Sequence, residues 1–241
     1  MVKDIRLLSF DIEISDIFDA KPGEDFEKYA PFHVAVASTA ILGGEERLWY
    51  SDGGNEEPLL NMTPGKADEL LRYLAEMEDE GYMVSAWNGL GFDLRWIGYT
   101  AEDVELAAKI ALKSYDPMFQ FFNQRGFPVG LASVAQAMGI EQKKLMSGAD
   151  APKEWQAGNC QKVMDYVLGD SQMTNQIVAA ILERREVRWI TQTGQARAEP
   201  MPKLKTVEEV LRDPEPDQSW MDKPLLRSKF TKWIPDHLLD A

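Results

Sequence analysis

The stretch Leu7-Leu8-Ser9-Phe10-Asp11-Ile12-Glu13-Ile14-Ser15 is a short apolar run with two acids set inside it. On an extended strand, side chains alternate between faces. Leu8, Phe10, Ile12 and Ile14 then share one face, while Asp11 and Glu13 share the other with Cα atoms roughly 6–7 Å apart. Carboxylates are among the groups least often buried without a partner, so two of them in a core-like strand call for a neutralising cation, either a divalent metal ion or a basic side chain. An edge strand with a solvated acidic face accounts for this stretch equally well. The rest of the chain has to separate the two readings.

A chain of 241 residues can bury one good core and carry an appendage, and a single domain over residues 1–185 with a C-terminal appendage over 186–241 is expected. Hydrophobic residues make up 44% and charged residues 27%, which excludes a disordered chain. The apolar runs are too short to cross a bilayer. Met1-Val2-Lys3-Asp4-Ile5-Arg6 lacks the charged-then-apolar layout of a secretory signal. A cytoplasmic protein with no membrane partner is therefore expected. The lone Cys160 excludes an internal disulfide and a thiolate zinc cluster, and reads as a buried structural thiol. The net charge of −14 argues against a broad electrostatic footprint for nucleic acid. A deep site that binds metal ions would still supply positive charge locally.

Beyond the opening strand, residues 16–31 read as a long loop that leaves just past Glu13 and forms one wall of any site there. His33 to Leu42 reads as a strand, Gly43-Gly44 as a turn and Arg47 to Tyr50 as the returning strand, giving three antiparallel strands. Thr63-Pro64 opens a helix with Ala67, Leu70, Leu71, Leu74 and Met77 on its apolar face. Tyr82 to Trp87 reads as a fourth strand. Asn88-Gly89-Leu90-Gly91-Phe92-Asp93 is then a glycine-punctuated turn into a helix, where Asp93 could serve as a cap or as a ligand. A further helix is expected over 101–113, and Tyr115 to Phe122 reads as a fifth, apolar strand with a structural Asp116 at its start. Leu131 to Met138 is a helix closed by Gly139. Residues 141–159 look irregular, and Cys160 to Arg185 forms a long helix that places Tyr166 and Asp170 on one face. The proline-rich tail carries a short helix at 207–211 and three tryptophans, Trp189, Trp220 and Trp233, which favour packing on the body. The fold class expected is α/β: a central mixed five-stranded sheet flanked by helices.

Taken together, Ser9-Phe10-Asp11-Ile12-Glu13, Asn88-Gly89-Leu90-Gly91-Phe92-Asp93 and Tyr166-Val167-Leu168-Gly169-Asp170 form an ordered set. It resembles the three motifs of the DEDD 3′→5′ exonuclease superfamily on a ribonuclease H-like fold. Within that superfamily it is similar to the tyrosine subclass and to the proofreading domains of family-B DNA polymerases. The resemblance covers about residues 5–185. The histidine subclass would have a His where this chain has Asp165, and His33 and His237 lie elsewhere.

This resemblance implies two Mg²⁺ or Mn²⁺ ions about 4 Å apart between the carboxylates. Asp11 would bridge both, Glu13 and Asp170 would complete the first site, and Asp93 would hold the second, directly or through water. Tyr166 would orient the attacking water by its hydroxyl, since an ordinary phenol titrates near pH 10. Asp11, Glu13, Asp93, Tyr166 and Asp170 are thus the implied catalytic set. The implied reaction releases nucleoside 5′-monophosphates from the 3′ end of single-stranded nucleic acid, DNA favoured over RNA, in repair or in proofreading alongside a separate polymerase. Substrate contacts are expected from Asn88 and Phe92, and from Lys144 and Trp155 in the lysine-bearing segment before the last helix. Lys143, Phe18, Tyr29 and Phe32 are further candidates, each weighed against simple packing or solvation. An RNA-trimming exonuclease is the nearest alternative, and a binding or adaptor module that has lost catalysis is the alternative from another class.

Overall fold

The apolar alternation of Leu7–Ile14 forms strand β1, which lies inside the sheet and not at its edge. A computed structural model describes residues 5–19, 24–54, 57–141 and 146–239. Strands β2 (Val34–Ile41) and β3 (Glu46–Trp49) continue from β1 as an antiparallel meander, and β4 (Met83–Ser85) adds parallel to the other side of β1, giving the order β3-β2-β1-β4. Leu8 and Phe10 are fully buried on one face of β1, each worth about 1.5–3 kcal/mol in apolar surface removed from water. The expected mixed α/β sheet is present; β4 pairs with β1 over Leu7–Ser9 only, and beyond it the Asp93 carboxylate takes the Ile12 N–H. Glu13 is buried and Asp11 half-buried, so the reading of a solvated acidic face on an edge strand is excluded by burial.

Helix α1 (Pro64–Asp79) starts where Thr63 caps it with Pro64 in the first turn, and buries Ala67, Leu70, Leu71, Leu74 and Met77. It packs with α2 (Asp93–Ala101) and α3 (Val104–Lys113). The opposite side of β1 and β2 is covered by α7 (Cys160–Arg184), a helix of 25 residues.

Three expectations are corrected. First, the sheet has four strands and not five. Of residues 115–122 only Tyr115 pairs, in an isolated parallel bridge to Ser85, and Pro117–Arg125 forms helix α4. Asp116 caps that helix by accepting from the Phe119 N–H, with Pro117 in the first turn. Because α4 is buried from Pro117 through Asn123, it shows no amphipathic period, and an apolar run of that kind cannot be told from a buried strand. Second, the irregular segment before α7 contains a short helix, α6 (Ala151–Gln156), with Pro152 in its first turn. Third, the tail opens with a β-hairpin, β5 (Glu186–Ile190) and β6 (Ala196–Pro200), against which α5 (Leu131–Met138) packs.

The rest of the tail joins the main core. The expected helix at 207–211 is α8 (Val207–Leu211), closed at its start by a Thr206–Glu209 capping box. Trp189, Met201, Val207, Val210, Phe230, Trp233 and Ile234 sit in the same hydrophobic cluster as Phe10 and Leu70. The Trp233 indole N–H donates to the Leu90 carbonyl at 2.8 Å, so the tail supports the Asn88–Asp93 turn from behind. Among the described residues no helix is long and apolar enough to cross a membrane.

Candidate metal centre

Asp11 and Glu13 point from β1 toward α7, as the alternation of the strand requires. Asp11 pairs across the ladder with Ser38 of β2, and the register shifts between Glu13 and Ile14, so Glu13 ends the regular pairing. Asp170 descends from α7 onto the same spot. Asp11, Glu13 and Asp170 each offer a carboxylate oxygen within 4.8 Å of the other two. Three hard oxygen donors so close together suit Mg²⁺, Mn²⁺ or Ca²⁺ in their ligand chemistry.

The position of Asp170 is set by polar bolts between α7 and β2. The Ser38 hydroxyl donates to the Val167 carbonyl at 2.8 Å and lies 2.7 Å from the Ser171 hydroxyl, both buried, and the Asn175 amide donates to the Ala40 carbonyl at 2.7 Å. Val167, Ser171 and Asn175 recur at four-residue spacing on the face that meets the sheet. Tyr166 and Asp170 lie on the adjoining face, at the mouth of the site. The Tyr166 hydroxyl donates to the Asp170 carboxylate.

Asp93 reaches the site from the other side of β1. It is the first residue of α2, but the cap position belongs to Phe92 and has no side-chain cap bond. The buried Asp93 carboxylate instead accepts the N–H of Ile12 at 3.1 Å, across to the strand between the two acids. The turn that delivers it is tightly folded. Asn88 has φ 71°, and a Cβ on Gly91 would lie 2.6 Å from Asn88 Oδ1 and 2.9 Å from the Phe230 ring. Any side chain at 91 would force Asn88 or Phe230 to shift. Behind the turn, buried Asp116 accepts the backbone N–H groups of Asn88, Leu90 and Phe119 at 3.0–3.2 Å.

The electrostatics follow from this convergence. Burial, then the neighbouring charges of Asp93, Asp170 and Glu13, hold the Asp11 carboxyl well above its ordinary range. Burial and the charges of Asp170 and Asp93 do the same to Glu13. Burial pushes Asp93 up to about 7 and Asp170 up to about 6, the latter moderated by the Tyr166 hydrogen bond. Tyr166 is raised by burial and by Asp170, Glu13 and Asp11, so it keeps its proton. The charges acting on Asp11 and Glu13 are those of other carboxylates. A divalent cation would relieve all of these shifts at once, so the residues present fit such an ion.

The acids open into a cleft of about 550 Å³ walled by Ile17 and Phe18 of the first loop, Phe92, and Pro152 and Lys153 of α6. Phe18 stacks on Tyr29 at 4.9 Å and tilts against buried Phe32 at 5.3 Å. Of the expected substrate contacts, Phe92 lies on the cleft and Asn88 lines a neighbouring cavity behind the turn that meets the cleft at Glu24. Trp155 does not reach the cleft. It is 3% exposed in a small core with Val36, Val163 and Val167, and its indole donates to the Leu60 carbonyl. It has no open face on which a base could stack. Lys143 and Lys144 lie outside the described residues. Lys153 was missed as a candidate: it faces the cleft because α6 is a helix, and the Asp150-Ala151-Pro152 start was the signal for that helix.

Comparison with known proteins gives one family. The RNase_H_2 profile, described as RNase_H superfamily, matches residues 48–179. No curated protein sequence matches the chain. Among solved structures, the chain is similar to the family B DNA polymerase from the hyperthermophilic archaeon Pyrobaculum calidifontis, with TM-score 0.47 and 17% identity over 75% of this chain. The match spans 24% of that polymerase.

Proposed function

The chain belongs to the RNase_H superfamily, and from that premise we propose that it is a two-metal-ion 3′→5′ exonuclease. Its substrate is the 3′ end of single-stranded nucleic acid, DNA in preference to RNA, and its product a nucleoside 5′-monophosphate. The observation that carries this reading is the convergence of Asp11, Glu13 and Asp170 within 4.8 Å, with a protonated tyrosine hydroxyl on Asp170.

In this reading Asp11, Glu13 and Asp170 would hold one ion, and Asp93 with Asp11 would serve a second. Mg²⁺ or Mn²⁺ there would supply the charge that makes water nucleophilic and stabilises the departing 3′ oxygen. In the metal-free site burial and the neighbouring carboxylates keep the Tyr166 hydroxyl protonated, donating to Asp170. Its hydroxyl orients water beside Asp170. Phe92 and the aromatic loop at Phe18 exclude bulk water and offer apolar surface to the terminal nucleoside. Residues 1–185 carry the nuclease body, and residues 186–241 form its appendage.

The test is release of mononucleotides from a 3′-labelled oligomer in Mg²⁺ or Mn²⁺, run in parallel on DNA, RNA and duplex ends. Stepwise, metal-dependent loss of the 3′ label supports the reading, and its loss in Asp11→Ala ties it to this site. No release with either metal, or wild-type turnover in Asp11→Ala, overturns it.

A further inference from the structure

The site cleft does not end at the acids. It shares Gly148 and Asp170 with a second groove, of about 770 Å³, which runs between α5 and α7 past Tyr166. That groove shares Ser133 and Ile190 with a third cleft, of about 920 Å³, between the β5–β6 hairpin and the turn after α4. Ser133 forms the seam, since its hydroxyl donates to the Ile190 carbonyl and accepts the Ile190 N–H.

The third cleft differs in character from the rest of this acidic protein. Trp220 is 62% exposed. It is nevertheless held in place: its indole N–H donates to the Asp217 carbonyl, and its ring meets the Phe127 ring edge-on at 6.2 Å. The neighbouring Gln218 amide ties this loop to the Gly126 and Leu225 carbonyls. Two arginines, Arg125 and Arg197, line the same cleft as the ring. Arg125 shares the cleft with one acid, Glu199, at 3.5 Å, and the exposed Arg197 is held by Gln195 and, among the described residues, by no carboxylate. A fixed, exposed aromatic ring in a cleft that also holds two guanidinium groups suits a base and its flanking phosphates, and little ordering remains to be done on binding.

We propose that this cleft is the upstream part of the substrate path. A single strand whose 3′ end lies at Asp11 and Asp170 runs along the α5–α7 groove to the hairpin, where a base stacks on Trp220 and Arg125 and Arg197 contact phosphates. The inference rests on the exonuclease reading and adds a binding track to it.

The experiment uses the full chain in the Asp11→Asn background, so that the strand is not consumed, and follows fluorescence anisotropy of 5′-labelled oligothymidylates from trimer to dodecamer in Mg²⁺. Trp220→Ala and Arg197→Ala are exposed changes, and unaltered melting curves check their folding. Each is expected to weaken dodecamer binding by about 10-fold, with the defect shrinking toward the trimer. Trp220→Phe, which keeps a stacking face, should recover most of the affinity. Equal dodecamer affinity in the parent, Trp220→Ala and Arg197→Ala overturns the track, and so does an equal defect at every length. The two readings fail separately. Mononucleotide release by the wild type with length-independent binding removes only the track, whereas absence of release removes the exonuclease reading and leaves a length-dependent defect as support for a strand-binding path.

Discussion

Asp116 and the cluster of Asp11, Glu13 and Asp170 lie on either side of the Asn88–Asp93 turn, and their surroundings treat them in opposite ways. Asp116 is 3% exposed and surrounded by donors: it accepts three backbone N–H groups and caps α4. Burial pushes it up to about 6 while those donors pull it down. Asp11, Glu13 and Asp170 are gathered just as tightly, yet the charges acting on Asp11 and Glu13 are those of other acids. Burial alone therefore does not mark a functional acid. What marks one is a carboxylate held close to its own kind without the donors that would justify it. The fold completes the first group internally and leaves the second to be completed by a cation.

The sharpest way to break this contrast is Asp11→Ala. Turnover is expected to fall about 10³-fold, while the metal-free melting temperature stays level or rises, because a repelling charge has gone. Single-turnover release and a thermal melt measure the two effects. Asp116→Ala should do the reverse. Three buried N–H groups lose their acceptor, and urea unfolding should show a loss of about 3 kcal/mol, with activity per folded molecule reduced far less than in Asp11→Ala.

Metal and pH sharpen the contrast next. Asp170 at about 6 and Asp93 at about 7 lie above the ordinary 3.8, so the metal-free folded state holds more protons than the unfolded one. The contribution of these two groups to its stability is then fullest below about pH 4 and declines as the pH rises through about 7. Mg²⁺ should reverse the decline, raising the melting temperature by several degrees at pH 8 and by little at pH 5. A rise that is the same at both pH values would disprove the account from raised carboxyl pKa values. The Asp116 part of the decline should not respond to metal.

A smaller effect is expected from Tyr166→Phe, about a 10-fold drop in kcat with KM nearly unchanged, read from steady-state kinetics. A rise in KM with kcat unchanged would move Tyr166 from orienting water to binding the nucleoside. The smallest effect belongs to an ordinary surface pair. Lys229–Asp25, at 2.7 Å with both side chains about half exposed, should contribute no more than about 0.5 kcal/mol, measured as the unfolding change in Lys229→Ala.

The acids and the elements that carry them were legible in the sequence because each motif sits where local chemistry is strict. β1 shows its period of two, α7 holds a helical period from Cys160 to Arg184, and the Asn88–Asp93 turn advertises its glycines. Elements hidden by uniform burial were not legible. In α4 the Asp116-Pro117 start was the better guide, and the apolar run misled. In β5 the alternation of Val187 and Trp189 was masked by a tail read for its prolines. The bolts at Ser38, Ser171 and Asn175 could not be found from sequence. They pair residues 129–135 positions apart, and a serine that fastens a helix to a sheet reads no differently from one that faces water. Trp155 shows the converse: an aromatic near a motif invites a substrate role, and only packing shows that its ring is spent on the core.

The hydrogen bond from Trp233 to Leu90 spans 143 positions, and it gives the assembly of the site an order in time. At roughly 5–20 residues per second of synthesis, about 7–30 s separate the emergence of the turn from that of the ring that backs it. The sheet and its two acids are made first, the helix bearing Asp170 follows, and the brace behind Asp93 arrives last. During translation the nascent chain thus carries all four acids before the turn presenting one of them has its final buried neighbour, so the direction of the chain itself delays the setting of the site.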